Sequence, residues 1–176
     1  PPDLSPGDML SPADGTVTAV DEVDHHEVTG GPALVLRIFL SVLNVHVNRS
    51  PADVTVRDRL HVPGRFLDAR SVDAASCNES TLLVLETSCG TRIGVRQIAW
   101  KIARRIVCPV KEGDRLARGQ QYGMIRFGSG MELILPRPGT LSIHVQVGER
   151  VRAGLTILAT MPPADRTGQD ADDQAH

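Results

Sequence analysis

Apolar residues along this chain come in short runs that alternate with polar ones, and glycine- or proline-led turns separate the runs. The pattern predicts strands at Gly15–Asp21, Ala33–Leu40, Val54–His61, Thr81–Thr87, Arg92–Val110, Met124–Phe127, Met131–Leu135, Gly139–Val145 and Leu155–Met161. Within Ile93–Val107 the residues Ile98, Ala99, Ile102, Ala103, Ile106 and Val107 also fit a helical stripe, and strand is the favoured reading. Three segments share a motif: "SPGDMLSPADG", "KEGDRLARGQQYG" and "VGERVRAGLTILA" each place Gly before an acidic residue, then a β-type residue, then a second turn. This punctuation suits hairpins of a compact barrel or sandwich and is too irregular and widely spaced for a solenoid. The expected fold is mainly β, a compact barrel- or sandwich-like domain with little helix. After Pro162 no apolar residue is larger than Ala, so 162–176 is expected to be a disordered tail behind a single domain at 1–161.

Composition agrees with this pattern. Hydrophobic residues make up 41% of the chain but aromatic ones only 3%, so the core must be built from Val, Ile, Leu and Ala, which favours strand-rich packing. The 176 residues suffice for one domain with a sizeable core. A formal net charge of -2, from 19 basic and 21 acidic residues, supplies no field that would gather nucleic acid, and it leaves a small or lipid substrate open. Cys77, Cys89 and Cys108 are odd in number and lack C-x-x-C spacing, which argues against a disulfide framework and against a zinc site, so no metal is expected. The longest apolar stretch, Leu34 to Val47, is interrupted by Arg37 and Asn44 and is shorter than the roughly 20 residues of a spanning helix. The chain opens at Pro1 without a signal-like apolar region, so a soluble domain is expected, with any membrane anchor outside the given chain.

Three polar residues stand where a β-rich core would favour apolar ones. Asp14 lies in the turn of "SPADGTV", His46 between two valines in "LNVHVNRSP", and Ser129 in "RFGSG", expected at the tip or edge of a hairpin. Asp, His and Ser are the residue types of an orienter, a base and a nucleophile. Taken alone, each also has a plain reading: an Asx-turn, a core histidine and an ordinary turn serine.

Taken together, "SPADG", "VLNVHVNRSP", "ASCNESTLL", "IGVRQIAWKIARRIVCPVKEGD", "GQQYGMIRFGS" and "ELILP" resemble the phosphatidylserine decarboxylases in their short form, from about Ser11 to Met161. The resemblance implies a proenzyme that cuts itself at Gly128-Ser129 into residues 1–128 and 129–176, leaving Ser129 as a covalent pyruvoyl group. It assigns His46 as general base and Asp14 as its orienter. The implied activity is Schiff-base formation with phosphatidylserine and release of CO2 to give phosphatidylethanolamine, with no external cofactor. It further implies two chains that stay associated, a peripheral location on the cytoplasmic face of an anionic membrane, and leaves homo-oligomerisation open.

The chain departs from the family pattern at two places. Gly130, Met131 and Glu132 follow the Gly-Ser pair where Arg or Ser, then Val and Asp, are usual, and Leu43 stands where some long-form members carry a second His. Asn48 and Arg49 suit a phosphate or carboxylate of the substrate, or a structural role beside Pro51. Asn78 and Glu79 of "CNES" read as loop-stabilising, and Arg104 and Arg105 as either a lipid-facing pair or a solvated face. Two other functions compete: a lipoyl- or biotinyl-like carrier module, which would need a modifiable hairpin lysine beyond Lys101 and Lys111, and a serine hydrolase with Ser129 intact.

Overall fold

A computed structural model describes residues 3–41, 43, 47–63, 78–99, 106–125, 128–137 and 139–163. Among these residues there is no helix, and none that could cross a membrane. The expected mainly β fold is what the chain adopts. Eight strands form a curled sheet: β13 (Arg150–Val151), β2 (Gly15–His26), β3 (Gly31–Leu40), β11 (Ser129–Pro136), β7 (Arg92–Ala99), β6 (Ser80–Thr87), β5 (Val54–Val62) and β9 (Arg115–Leu116), in that order. Two three-stranded sheets complete the fold: β1 (Asp8–Leu10), β14 (Ile157–Thr160) and β12 (Ser142–Ile143); and β4 (Val47–Arg49), β10 (Gln121–Ile125) and β8 (Ile106–Val107).

The alternation in sequence places one side chain set inward. Met131, Leu133 and Leu135 of β11 join Leu36, Ile38 and Leu40 of β3 and Ile93, Val95 and Ala99 of β7 in one aliphatic core. A smaller cluster of Val28, Ala33, Leu82 and Ile134 covers part of the opposite face.

The strand orders read the same from both ends, because an internal pseudo-two-fold relates the halves. Thr16 pairs with Phe39 and Val17 with Ile38, followed by a bulge; Thr55 pairs with Glu86 and Val56 with Leu85, followed by a bulge at the same place. The Val17 N–H donates to Glu149 O at 2.9 Å and the Val56 N–H to Asp114 O at 2.8 Å. "SPAD" occurs twice: Ser11 Oγ donates to Ala13 O and Ser50 Oγ to Ala52 O, both at 2.7 Å. The two turns also bond across to each other, Arg49 N–H to Pro12 O and Leu10 N–H to Pro51 O. The repeated Gly-acidic segments "EGDRLARG" and "GERVRAG" are thus the equivalent hairpins of two halves.

Several sequence expectations change. Arg92–Val110 holds two strands, Arg92–Ala99 and Ile106–Val107, while 100–105 lie outside the described residues. Gly139–Val145 contains only Ser142–Ile143 as strand. The tail after Pro163 lies outside the described residues.

Candidate active site

Ser129 is not at a hairpin tip. It opens β11, the strand next to the centre of the large sheet, with Leu40 opposite on one side and Ala99 on the other. β10 and β11 do not pair; they belong to different sheets, and the chain passes from one to the other between Ile125 and Ser129. Gly128 has φ 55°, a left-handed backbone that glycine adopts without the Cβ clash. Ser129 shares its side of the strand with Met131 and Leu133, so its hydroxyl faces the interior. The residue is 0% exposed and its Oγ has no hydrogen-bond partner among the described residues. A buried hydroxyl without a partner is costly, by about 1–3 kcal/mol, so a chain that keeps one there needs a reason for it.

Asp14 sits at the same rim. Gly15, the first residue of β2, lies tight against β3: a Cβ there would come within 2.2 Å of Phe39 O, so only glycine allows this approach. The register Thr16 to Phe39 puts Gly15 one step along, level with Leu40, which in turn faces Ser129. One strand therefore separates Asp14 from Ser129, about 10 Å of sheet. Asp14 Oδ1 accepts the Ala153 N–H at 2.6 Å, which fixes the carboxylate. Its pseudo-symmetric counterpart Asp53 accepts the Arg118 N–H at 2.8 Å, so this bond belongs to the fold.

His46 lies outside the described residues. Its flanks are fixed: β3 ends at Leu40, opposite Ser129, and β4 begins at Val47, opposite Met124, four residues before Gly128.

The other candidates make contacts of their own. Arg49 Nη1 donates to Gly119 O at 2.8 Å, and its stem passes beside Gly154. Asn48 is fully buried and its Oδ1 accepts from Gln97 Nε2 at 2.7 Å. Glu79 meets His61 Nε2 at 3.3 Å, and its carbonyl accepts the Ala99 N–H, consistent with a loop-stabilising role.

Sequence reading missed the part played by Glu132. This buried carboxylate accepts from Arg37 Nε at 3.1 Å and Nη2 at 2.7 Å, and from Arg96 Nη1 at 3.1 Å, tying β11 to both its neighbours three residues beyond Ser129. A lone charge inside each of "LVLRIFL", "IGVRQIA" and "MELILP" was the available signal. Nearby, His26 Nδ1 accepts the Val28 N–H at 3.2 Å. Burial, and then the Arg96 charge, hold its pKa below the usual histidine value.

A buried, unpartnered serine after a left-handed glycine, at the rim of a β fold, is a candidate self-processing centre. The profile of the family "Phosphatidylserine decarboxylase" matches residues 1–159. Proteins named phosphatidylserine decarboxylase proenzyme align closely: one from Geobacter sulfurreducens is 44% identical over 165 residues, covering 92% of this chain and 74% of the relative. Those of Syntrophus aciditrophicus and Symbiobacterium thermophilum are each 46% identical, covering 86% and 89% of this chain and 70% and 72% of their own lengths. The chain belongs to the phosphatidylserine decarboxylase family, whose members are decarboxylase proenzymes.

Proposed function

We propose that this chain is a phosphatidylserine decarboxylase that matures by cutting its own Gly128-Ser129 bond. The observation that carries the reading is the Ser129 hydroxyl, buried and unpartnered directly after the left-handed Gly128, in a member of this family. In this reading His46 takes the proton of Ser129 Oγ as the oxygen attacks the Gly128 carbonyl carbon, and Asp14 holds the imidazole in the tautomer that can do so. Returning the proton to the amide nitrogen breaks the C–N bond and leaves an ester. Loss of the Ser129 α-proton then expels the Gly128 carboxylate, and hydration with release of ammonia leaves a pyruvoyl group in place of Ser129.

The residues present fit such a group: burial keeps bulk water from the spot, and the orphaned hydroxyl marks the atom that the reaction consumes. Once formed, the pyruvoyl carbonyl supplies the electron sink for decarboxylating the headgroup amino acid. Cleavage would not free the smaller chain, because β11 is hydrogen-bonded along its length to β3 and along most of it to β7. The membrane location rests on the same rim: Leu43 is 93% exposed beside the segment carrying His46, and Leu60 and Val62 stand exposed at the end of β5, next to Ser80 of β6. A peripheral position on the cytoplasmic face of an anionic membrane is part of the proposal. The carrier and free-serine hydrolase readings draw no support from the family.

Incubation of purified protein with phosphatidylserine vesicles tests the activity. The expected result is phosphatidylethanolamine and CO2 in equal amounts, abolished by Ser129→Ala. A fully cleaved protein that leaves phosphatidylserine unchanged overturns it.

A further inference from the structure

The pseudo-two-fold supplies an internal control for every buried residue. Met9, Leu135 and Leu158 belong to the apolar core of one half. Their equivalents in the other half are Asn48, Gln97 and Gly123: Asn48 follows from the repeated "SPAD" turns, Gln97 from the β3–β11 and β6–β7 registers, and Gly123 from the paired hairpins. The fold therefore does not require polarity at these positions, since the other half fills them with Met and Leu. Gly123 makes the room: a Cβ there would come within 2.9 Å of Gln97 Nε2 and 2.7 Å of Val107 O.

Asn48 is 0% and Gln97 1% exposed, and they spend one hydrogen bond on each other, Gln97 Nε2 to Asn48 Oδ1 at 2.7 Å. Asn48 Nδ2 and Gln97 Oε1 have no partner among the described residues. Exchanging oxygen and nitrogen in both amides leaves the same remainder, one NH2 donor and one carbonyl acceptor. Gln97 faces Met131, and Ser129 is the next residue on that side of β11, so Gln97 and Ser129 are diagonal neighbours, about 7–8 Å apart. Asn48 is two residues beyond His46. Three orphaned buried polar groups thus lie on one interior face.

We propose that the Asn48–Gln97 amide pair recognises the α-amino acid headgroup of the substrate: the free NH2 donates to its carboxylate and the free carbonyl accepts from its amino group. The proposal rests on the decarboxylase reading above and assigns the pair to substrate selection. A donor and an acceptor held on one rigid pair match the two charged groups carried on one carbon, and with the phosphodiester arm they fix its configuration. An aliphatic pair would hold the same shape without that choice.

The test uses matured protein and two substrates, phosphatidyl-L-serine and phosphatidyl-D-serine. Asn48→Met with Gln97→Leu copies the residues of the other half. Self-cleavage of this variant is followed by intact mass, separately from turnover. Expected is wild-type discrimination between the two configurations that falls on the order of 10- to 100-fold in the ratio of kcat/KM. Gln97→Glu is the second variant: its carboxylate repels the carboxylate of the substrate, so phosphatidylethanolamine, which lacks that group, should compete better with substrate than in wild type. An unchanged configuration ratio in the first variant overturns the assignment. If that variant does not fold, unchanged competition in Gln97→Glu does so. Wild-type protein that neither cleaves nor decarboxylates would instead sink the activity itself.

Discussion

Gly128 and Gly90 occupy equivalent positions ahead of β11 and β7, and both have left-handed backbones, at φ 55° and 80°. At Gly90 the chain merely reverses: the Thr87 N–H donates to Thr91 O at 2.9 Å, and the Thr91 N–H to Thr87 Oγ1 at 3.2 Å. At Gly128 the same backbone delivers a buried serine to the start of a strand next to the centre of the sheet. Alanine should cost about 1–2 kcal/mol at either position, measured by denaturant unfolding in a Ser129→Ala background. Only Gly128→Ala, tested with Ser129 present, should also slow cleavage, as followed by gel.

Removing the orphaned hydroxyl should stabilise the uncleaved chain. His46→Ala and the double variant His46→Ala/Ser129→Ala both stay intact in this account, so their difference isolates the Oγ. The double variant should be more stable by about 1 kcal/mol or more, and equal unfolding midpoints would argue that Ser129 finds a partner.

The long strands were legible in the sequence because Ala33–Leu40 and Met131–Leu135 alternate over enough residues to show their period. The pairs Arg115–Leu116 and Arg150–Val151 and the triplets Asp8–Leu10 and Val47–Arg49 were not, because two or three residues carry no period. Gly128-Ser129 was singled out by resemblance. Local pattern suggests a hairpin tip or edge there, because it cannot tell that the strands on either side of a glycine enter different sheets. Gln97 escaped notice because its polarity becomes conspicuous only beside Leu135, and that comparison needs the register.

Glu132 should matter to both fold and processing. Glu132→Ala leaves Arg37 and Arg96 without their shared carboxylate; because both arginines are partly solvated, a loss of about 2 kcal/mol is expected. Slower cleavage should accompany it, since the carboxylate ties the strand carrying Ser129 to both neighbours. A variant as stable and as quickly cleaved as wild type would show the clamp to be dispensable.

Acid should weaken the fold in two stages. His26 has a folded pKa below its ordinary 6.5, so the unfolded chain takes up the proton first; its contribution is full above 6.5 and is lost as pH falls from there through the folded value. Burial pushes the Asp8 pKa up, but hydrogen bonds from Thr160 and Ser5 outweigh this and hold it below 3.8, so its contribution is lost only below that pH. In uncleaved Ser129→Ala protein, His26→Gln should flatten the fall in melting temperature that begins near 6.5 and leave the lower stage in place.

The most direct measurement is the intact mass of wild-type protein after incubation at neutral pH. This account predicts two fragments, residues 1–128 with an ordinary carboxyl terminus and a fragment beginning at position 129 that is lighter by one ammonia than a serine-started chain and reacts with carbonyl reagents. Ser129→Ala should give one mass, that of the uncut chain. A single full-length species with unmodified Ser129 in the wild type would contradict the claim that the Gly128-Ser129 bond is the chemistry of this protein.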